Sequence, residues 1–262
     1  MVLAALSRLV RVRVTLGYTA LLVAVATALF VLGPHIRDKA IWLASTNLHN
    51  LGDGRIGTLV GSAFITVGPL YVWLPGLVAL LALAELTWRS RRLVVAFAVG
   101  HIGATLLVAA GLAAALGVGL MSTSIRYVTD VGISYGAIGV LGTLTSAIPR
   151  RWRGEWTGWW LFVAMGAAVF SGLDFTNVGH AVALVLGMLL GTRFGQPANW
   201  TAPRYVLLAI GAAFGYTLIA NDELSVLTTT GLGVLGALLV GRISRWRLVN
   251  RTLALSALSG TS

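Results

Sequence analysis

Eight long apolar runs restrict what this chain can fold into. A helix needs about 20 mostly apolar residues to cross roughly 30 Å of hydrocarbon, and helices satisfy their backbone polar groups internally. With 57% hydrophobic and 10% charged residues, the chain cannot bury its apolar surface in one water-soluble core. The sequence therefore predicts an all-α, polytopic helical membrane bundle. The runs cover residues 16–34, 67–88, 93–118, 131–148, 157–173, 178–194, 204–220 and 226–241.

The basic residues are distributed unevenly between the connectors. If the N-terminus lies inside, 15 of the 19 basic residues fall in inner segments, and only Arg37, Lys39, Arg55 and Arg126 fall in outer ones. Cytoplasmic loops of membrane proteins are enriched in Lys and Arg, so we expect both termini in the cytoplasm. Topology then explains the net charge of +11, and no nucleic-acid partner is expected.

Few ionisable residues lie at membrane depth, where their cost makes them markers of function. Glu85 is expected to pair with Arg89 or Arg92 near the inner end of the second run. His101 is expected to form a hydrogen bond inside the bundle, with a proton-relay or ligand role as the alternative. The chain has no cysteine, and no helix carries histidine and carboxylate at ligand spacing, so we predict no metal site and no cofactor.

The fourth and sixth runs each carry one polar residue near the outer surface. Ser134 lies in the string GISYG, which opens the fourth run, and His180 lies in NVGH, which opens the sixth. Both runs go from outside to inside, so the two residues share a depth and provide a candidate nucleophile and base. Ser134 alone is also typical of a helix start. The sixth run has a face of small residues, which lets another helix approach closely, and we expect the glycine-rich fourth run there. That face comprises Gly179, Ala183, Gly187 and Gly191.

These motifs resemble the rhomboid family of intramembrane serine proteases. In that family a six-helix core places a GxSG serine at the start of the fourth span and a histidine on the sixth. The likeness covers about residues 14–195 and is carried by GISYGAIGVLG and NVGHAVALVLGMLLG, with weaker support from RIGTLVGSAFI and ALAELTWRSRRL. It implies a six-span rhomboid-like core in residues 1–195, with two additional transmembrane helices and a short cytoplasmic tail in residues 196–262.

The resemblance implies an endopeptidase that cleaves transmembrane protein substrates in the lipid bilayer. Ser134 would attack a peptide carbonyl and His180 would take its proton, with Gly132, Gly136 and Asn177 as structural residues near the site. It implies an integral protein, which we expect in a bacterial plasma membrane.

Two departures from the family pattern leave alternatives open. Rhomboids have glycine directly after the serine, whereas this chain has Tyr135. The family's histidine and asparagine donors on the second span correspond to Pro69 and Trp73 here, so other groups would have to hold the oxyanion. The alternatives are an inactive rhomboid-like protein that binds membrane helices and, with no inverted repeat to support it, a small transporter. The candidate oxyanion donors are Asn47, His49 and Asn50 from the long outer segment 35–66, and the backbone N–H of Ser134 or Tyr135.

Overall fold

The computed structural model describes residues 10–68, 70–196, 199–220 and 223–259. In the last of these ranges, side chains are described for residues 226–246. Helix is the regular secondary structure throughout this part of the chain, which confirms the all-α prediction. The helices are α1 (Arg13–Val31), α2 (Pro34–Ala44), α3 (Leu48–Gly52), α4 (Thr58–Gly61), α5 (Leu70–Ala98), α6 (Ala104–Gly117), α7 (Ser134–Thr143), α8 (Arg153–Phe170), α9 (Phe175–Gly191), α10 (Ala202–Ile219) and α11 (Glu223–Ser259).

Each of the eight apolar runs is largely helical in the residues that the structure describes. Among the described residues, four helical stretches are long and apolar enough to cross a membrane, and α9 is a shorter apolar helix. One of the four, the 48-residue stretch Leu70–Gly117, carries both the second and the third run. The four stretches are Arg13–Val31, Leu70–Gly117, Ala202–Ile219 and Val226–Trp246.

A backbone break at Arg89 separates the second run from the third. Its φ of 67° and ψ of 165° are not helical, so the chain cannot continue as one straight helix. The same region corrects our expectation for Glu85. No described arginine pairs with this buried carboxylate; it accepts hydrogen bonds from the N–H groups of Val14 and Thr15, at 3.0 and 2.8 Å, and from the hydroxyls of Thr15 and Ser90. The N–H groups at the start of α1 have no acceptor within the helix, so they bind the Glu85 carboxylate in place of an arginine.

Helix α7 is the centre of the bundle, and all its residues after Ser134 are buried. Glycines bring its neighbours close on two sides. A Cβ added to Gly100, on the third run, would lie 2.7 Å from the Cα of Gly139, and one added to Gly187, on α9, would lie 2.0 Å from the Gly139 carbonyl oxygen. The prediction that the fourth and sixth runs pack through their small residues is confirmed.

The outer segment between α1 and α5 folds into the short helices α2 to α4, followed by a 3-10 turn at Ser62–Phe64. It is joined to the loop before α7. Thr46 N–H donates to the Asp130 carbonyl oxygen at 2.9 Å, and the Ser45 hydroxyl accepts from Asp130 N–H. Farther along, Gly132 N–H donates to the Ser62 carbonyl oxygen at 3.1 Å. These bonds hold the segment against the start of α7.

The last two helices pack against different parts of the bundle. Helix α10 lies on the second run and reaches α7, since Cβ atoms at Gly211 and Gly215 would meet Leu80 and Leu141 at 3.0 and 2.5 Å. Helix α11 lies along α8, where a Cβ at Gly158 would be 2.1 Å from the Gly236 carbonyl oxygen. The division of the chain at residue 195 stays a prediction.

Candidate active site

Ser134 is the first residue of α7 and is half-buried. The first N–H groups of a helix have no acceptor within the helix, so those of Ser134 and Tyr135 face the end of the bundle unpaired by α7 itself. Such a helix start attracts developing negative charge. The position therefore combines a hydroxyl with two backbone donors.

His180 lies one turn inside α9 and is only 3% exposed. Neither of its ring nitrogens has a hydrogen-bond partner among the described residues. A buried imidazole without partners costs free energy, because it has lost its hydrogen bonds to water. Such a cost is expected more at functional sites than at purely structural ones.

Tyr135 fills the space between α7 and α9 beside His180. The two rings meet edge to face with centroids 5.4 Å apart. A Cβ on Gly179 would lie 2.2 Å from the Tyr135 hydroxyl oxygen, so this glycine provides the room for the phenol, which donates a 3.4 Å hydrogen bond to the Phe175 carbonyl oxygen. The residue that departs from the family pattern is therefore the one that joins the serine-bearing turn to the histidine.

No hydrogen bond joins Ser134 to His180 within the described part of the chain. Tyr135, the residue after Ser134, contacts His180, but the proton path that a nucleophile and its base require is not formed in this arrangement. The pair stays a prediction from the sequence.

The three residues expected to shape the site have distinct surroundings. Gly132 has φ of 127°, a backbone conformation that other residues adopt only with strain. Gly136 faces the ring of Phe97, which a Cβ would meet at 2.5 Å. Asn177 is 5% exposed, and its Oδ1 has no hydrogen-bond partner among the described residues.

The candidate oxyanion donors of the outer segment are engaged to different degrees. Asn47 Oδ1 accepts from Asn50 N–H at 2.8 Å, whereas its Nδ2 is buried without a partner in the part of the chain that the structure describes. The side-chain amide of Asn50 donates to the carbonyl oxygens of Trp42 and Ser45. The His49 ring lies between the rings of Trp42 and Tyr127 and is 3.7 Å from the Asp53 carboxylate. Asn47 is thus the one side chain of these three with a buried donor to spare.

Two second-span positions, Pro69 and Trp73, differ from the family pattern. Pro69 lies outside the described residues, and Trp73 stacks on Phe214 of α10 with ring centroids 6.5 Å apart. Trp73 therefore serves the contact with the seventh run. The charged group closest to the candidate site in sequence is Asp130, in the loop before α7, and burial raises its pKa despite a hydrogen bond from Thr46.

Our sequence reasoning missed a second serine–histidine pair. The Ser62 hydroxyl and the Nε2 of His101 are 3.0 Å apart, and both side chains are buried. The prediction that His101 forms a hydrogen bond inside the bundle is confirmed, but its partner comes from the outer segment. Gly61 and the apolar residues around Ser62 gave no periodic signal that pointed to His101.

No group of three or more metal-ligating side chains is found among the described residues.

A buried central helix, surrounded by long apolar helices that expose large hydrophobic side chains, defines a helical integral membrane protein. The chain belongs to the rhomboid-like family, because the sequence model of the rhomboid-like proteins matches residues 10–192. The match spans α1 to α9 and ends just after α9. Comparisons with curated proteins and with solved structures give no match.

Proposed function

We propose that this rhomboid-like protein is an intramembrane serine protease in which Ser134 is the nucleophile and His180 is the general base. The observation that carries the proposal is the buried imidazole of His180, which has no hydrogen-bond partner among the described residues and whose centroid lies 5.4 Å from that of Tyr135, the residue after Ser134. The unpartnered nitrogens of His180 support it, since a general base must have a ring nitrogen free to take a proton.

In the proposed reaction, the Ser134 oxygen attacks the peptide carbonyl carbon while His180 takes the hydroxyl proton. His180 then gives that proton to the leaving amine, and water hydrolyses the acyl-enzyme by the same route. The oxyanion would be held by the N–H groups that open α7, with the Nδ2 of Asn47 as the candidate side-chain donor. A shift of the Tyr135 ring or of the Ser134 side chain must precede proton transfer, because apo sites often tighten only around substrate.

The proposed substrate is the transmembrane segment of another protein. Substrate would enter from the bilayer, and water would reach Ser134 from the outer surface, where α7 begins. The distribution of basic residues supports an orientation with both termini in the cytoplasm of a bacterial plasma membrane.

The test is cleavage of a model transmembrane substrate by the full chain in liposomes, together with labelling by a serine-reactive fluorophosphonate. Ser134→Ala should abolish both. Ser124→Ala, at an exposed serine of the outer loop before α7, is the matched control and should leave both unchanged. Cleavage by the Ser134→Ala protein at the wild-type rate would eliminate the proposed nucleophile.

An inactive rhomboid-like protein that binds membrane helices is the second candidate function. The packing of Tyr135 against Gly179 and His180 favours it, because the phenol occupies the space between the serine and histidine helices. This candidate predicts that a transmembrane peptide is captured without cleavage and that Ser134→Ala captures it equally well. Cleavage that depends on Ser134 would exclude it.

A further inference from the structure

A groove of about 620 Å³ lies between the C-terminal half of α1 and the first turns of α5. The two helices are joined near the start of α1, where Glu85 accepts hydrogen bonds from the N–H groups of Val14 and Thr15. Toward the other end of α1 the groove lies between them, and its lining includes Phe30 and Tyr71, which are 83% and 80% exposed. The groove is therefore open at the side of the bundle, and its volume is within the range of small-ligand sites.

Most of the groove lies at the depth of the hydrocarbon, and one end reaches the lipid headgroups. Its lining is mainly apolar, with side chains such as Val23, Leu29 and Leu74. Helix α1 has 19 residues, so it is about 28 Å long and spans nearly all of the roughly 30 Å of hydrocarbon. Gly33, with φ of 87°, then turns the chain into α2. Helix α2 therefore begins at the level of the headgroups.

Arg37 of α2 brings a positive charge to this end of the groove. It lines the groove and is half-buried, so a bound group can reach its side chain. Its guanidinium forms no hydrogen bond or ion pair with any described residue. The next two residues, Asp38 and Lys39, are exposed and carry opposite charges, and neither lines the groove. A free guanidinium at headgroup level matches phosphate, which accepts two parallel N–H bonds from it.

Two hydroxyl groups add polar contacts below that level. Thr27 and Thr66 line the groove, and neither side chain forms a hydrogen bond with a described residue. Thr27 lies about one turn before the end of α1 and is exposed. A hydroxyl can donate to a carbonyl oxygen, such as those of the esters that join acyl chains to glycerol. The groove thus offers a cation for a phosphate, hydroxyls for esters and apolar walls for a hydrocarbon chain.

We propose that this groove binds one anionic phospholipid, whose phosphate pairs with Arg37 and whose acyl chain lies between α1 and α5. An anionic lipid is favoured over a zwitterionic one, because it neutralises the charge of Arg37 without bringing a second cation. A transmembrane helix fits less well, since it is about 10–12 Å across and a groove of this volume holds only about one to two of its turns. The site uses neither Ser134 nor His180, so it does not depend on the proposed protease activity.

The experiment compares two photoreactive lipids on the full chain in phosphatidylcholine liposomes. Both carry the same diazirine-bearing acyl chains; one is a phosphatidylglycerol and the other is a phosphatidylcholine. We expect the phosphatidylglycerol to label residues 23–30 and 66–74 about two- to tenfold more strongly, because one arginine near the membrane surface attracts an anionic lipid by about that factor. Equal labelling of these residues by the two lipids would overturn the proposal.

Variants of α2 test the role of the cation. Arg37→Gln should remove the preference for phosphatidylglycerol while labelling by phosphatidylcholine persists, which also shows that the groove is still folded. Arg37→Lys keeps the charge and should retain most of the preference. Lys39→Gln is the matched control, because it removes the same charge from an exposed position of α2 outside the groove. A preference that survives Arg37→Gln, or that Lys39→Gln removes, would reflect general attraction to basic residues and would refute the site.

Variants of α1 test the location. Ala26→Phe places a ring in the groove and should suppress labelling of these residues by both lipids. Ala24→Phe is the matched control, because Ala24 is exposed on the opposite face of α1 and does not line the groove. It should leave the preference for phosphatidylglycerol unchanged. Undiminished labelling in the Ala26→Phe protein would show that the lipid binds elsewhere.

Discussion

The two serine–histidine pairs of this protein differ in how they are held. Ser134 and His180 lie at the starts of two packed helices, share no hydrogen bond, and are linked through the ring of Tyr135. Ser62 and His101 lie on a connecting segment and a π-helical turn, and they are bonded at 3.0 Å. A sequence motif marks the first pair, whereas nothing in the sequence marks the second.

The difference shows why hydrogen-bond geometry alone does not assign chemistry. The bonded pair connects the outer segment to the third run, a structural task that a serine and a histidine perform well. The unbonded pair bears an energetic cost that packing must offset. Substitutions in the two pairs should therefore change the free energy of unfolding by different amounts.

The largest expected loss of stability is at Tyr135, whose ring connects the start of α7 with His180. Tyr135→Gly restores the family's glycine but removes a buried aromatic side chain, so we expect the free energy of unfolding to fall by about 3–5 kcal/mol. Tyr135→Phe loses only the long bond to Phe175 and should cost less than about 1.5 kcal/mol. Unfolding in mixed micelles measures both. Equal losses would mean that the ring does not join the two helices.

The close packing of α9 on α7 through Gly187 and Gly139 should be nearly as sensitive to substitution. Gly187→Leu forces a side chain into the Gly139 backbone, and we expect a loss of about 3 kcal/mol or more. The matched control is Gly111→Ala on α6, where nothing lies within 4 Å, and it should not destabilise the protein. A tolerated Gly187→Leu would show that α7 and α9 are farther apart than described.

The second pair should show the signature of a buried hydrogen bond. Ser62→Ala leaves Nε2 of His101 without its partner, so we expect a loss of about 1–3 kcal/mol. The double variant Ser62→Ala/His101→Leu should lose less than the sum of the single variants, because no unpaired atom remains. Ser124→Ala, which is exposed, should stay within about 0.5 kcal/mol. Additive losses would argue against a direct bond.

The smallest effect on stability is expected at the first histidine. His180→Leu breaks no hydrogen bond and removes a buried unpartnered imidazole, which offsets the lost contact with Tyr135. The free energy of unfolding should therefore change by less than about 0.5 kcal/mol, while cleavage should be lost if His180 is the general base. A loss as large as that of Ser62→Ala would remove the contrast between the two pairs.

Much of the fold could be predicted because its signals are local. Apolar runs gave the helices, and the spacing of Gly179, Gly187 and Gly191 gave the packing of α9 on α7. The resemblance to rhomboids is confirmed by the family match. Side-chain periodicity within one helix is sufficient for such predictions.

What could not be predicted depends on long-range contacts of irregular backbone. Ser62 meets a histidine 39 residues away, from a segment with no helical or strand periodicity. The partners of Glu85 are N–H groups 70 and 71 residues earlier in the chain. Every residue except proline has a backbone N–H group, so the residue type does not indicate which of them is free to donate. The position of the Tyr135 ring was equally hidden, since it depends on the space that Gly179 leaves on another helix.

The carboxylate of Glu85 has a mechanical consequence for α1. Its bonds to the Val14 and Thr15 N–H groups join the first turn of α1 to the end of the second run that precedes Arg89. Such a joint lets α1 pivot but opposes its sliding along the bilayer normal. In a thicker bilayer α1 should therefore adapt by changing its tilt while its first turn stays level with Glu85 of the second run.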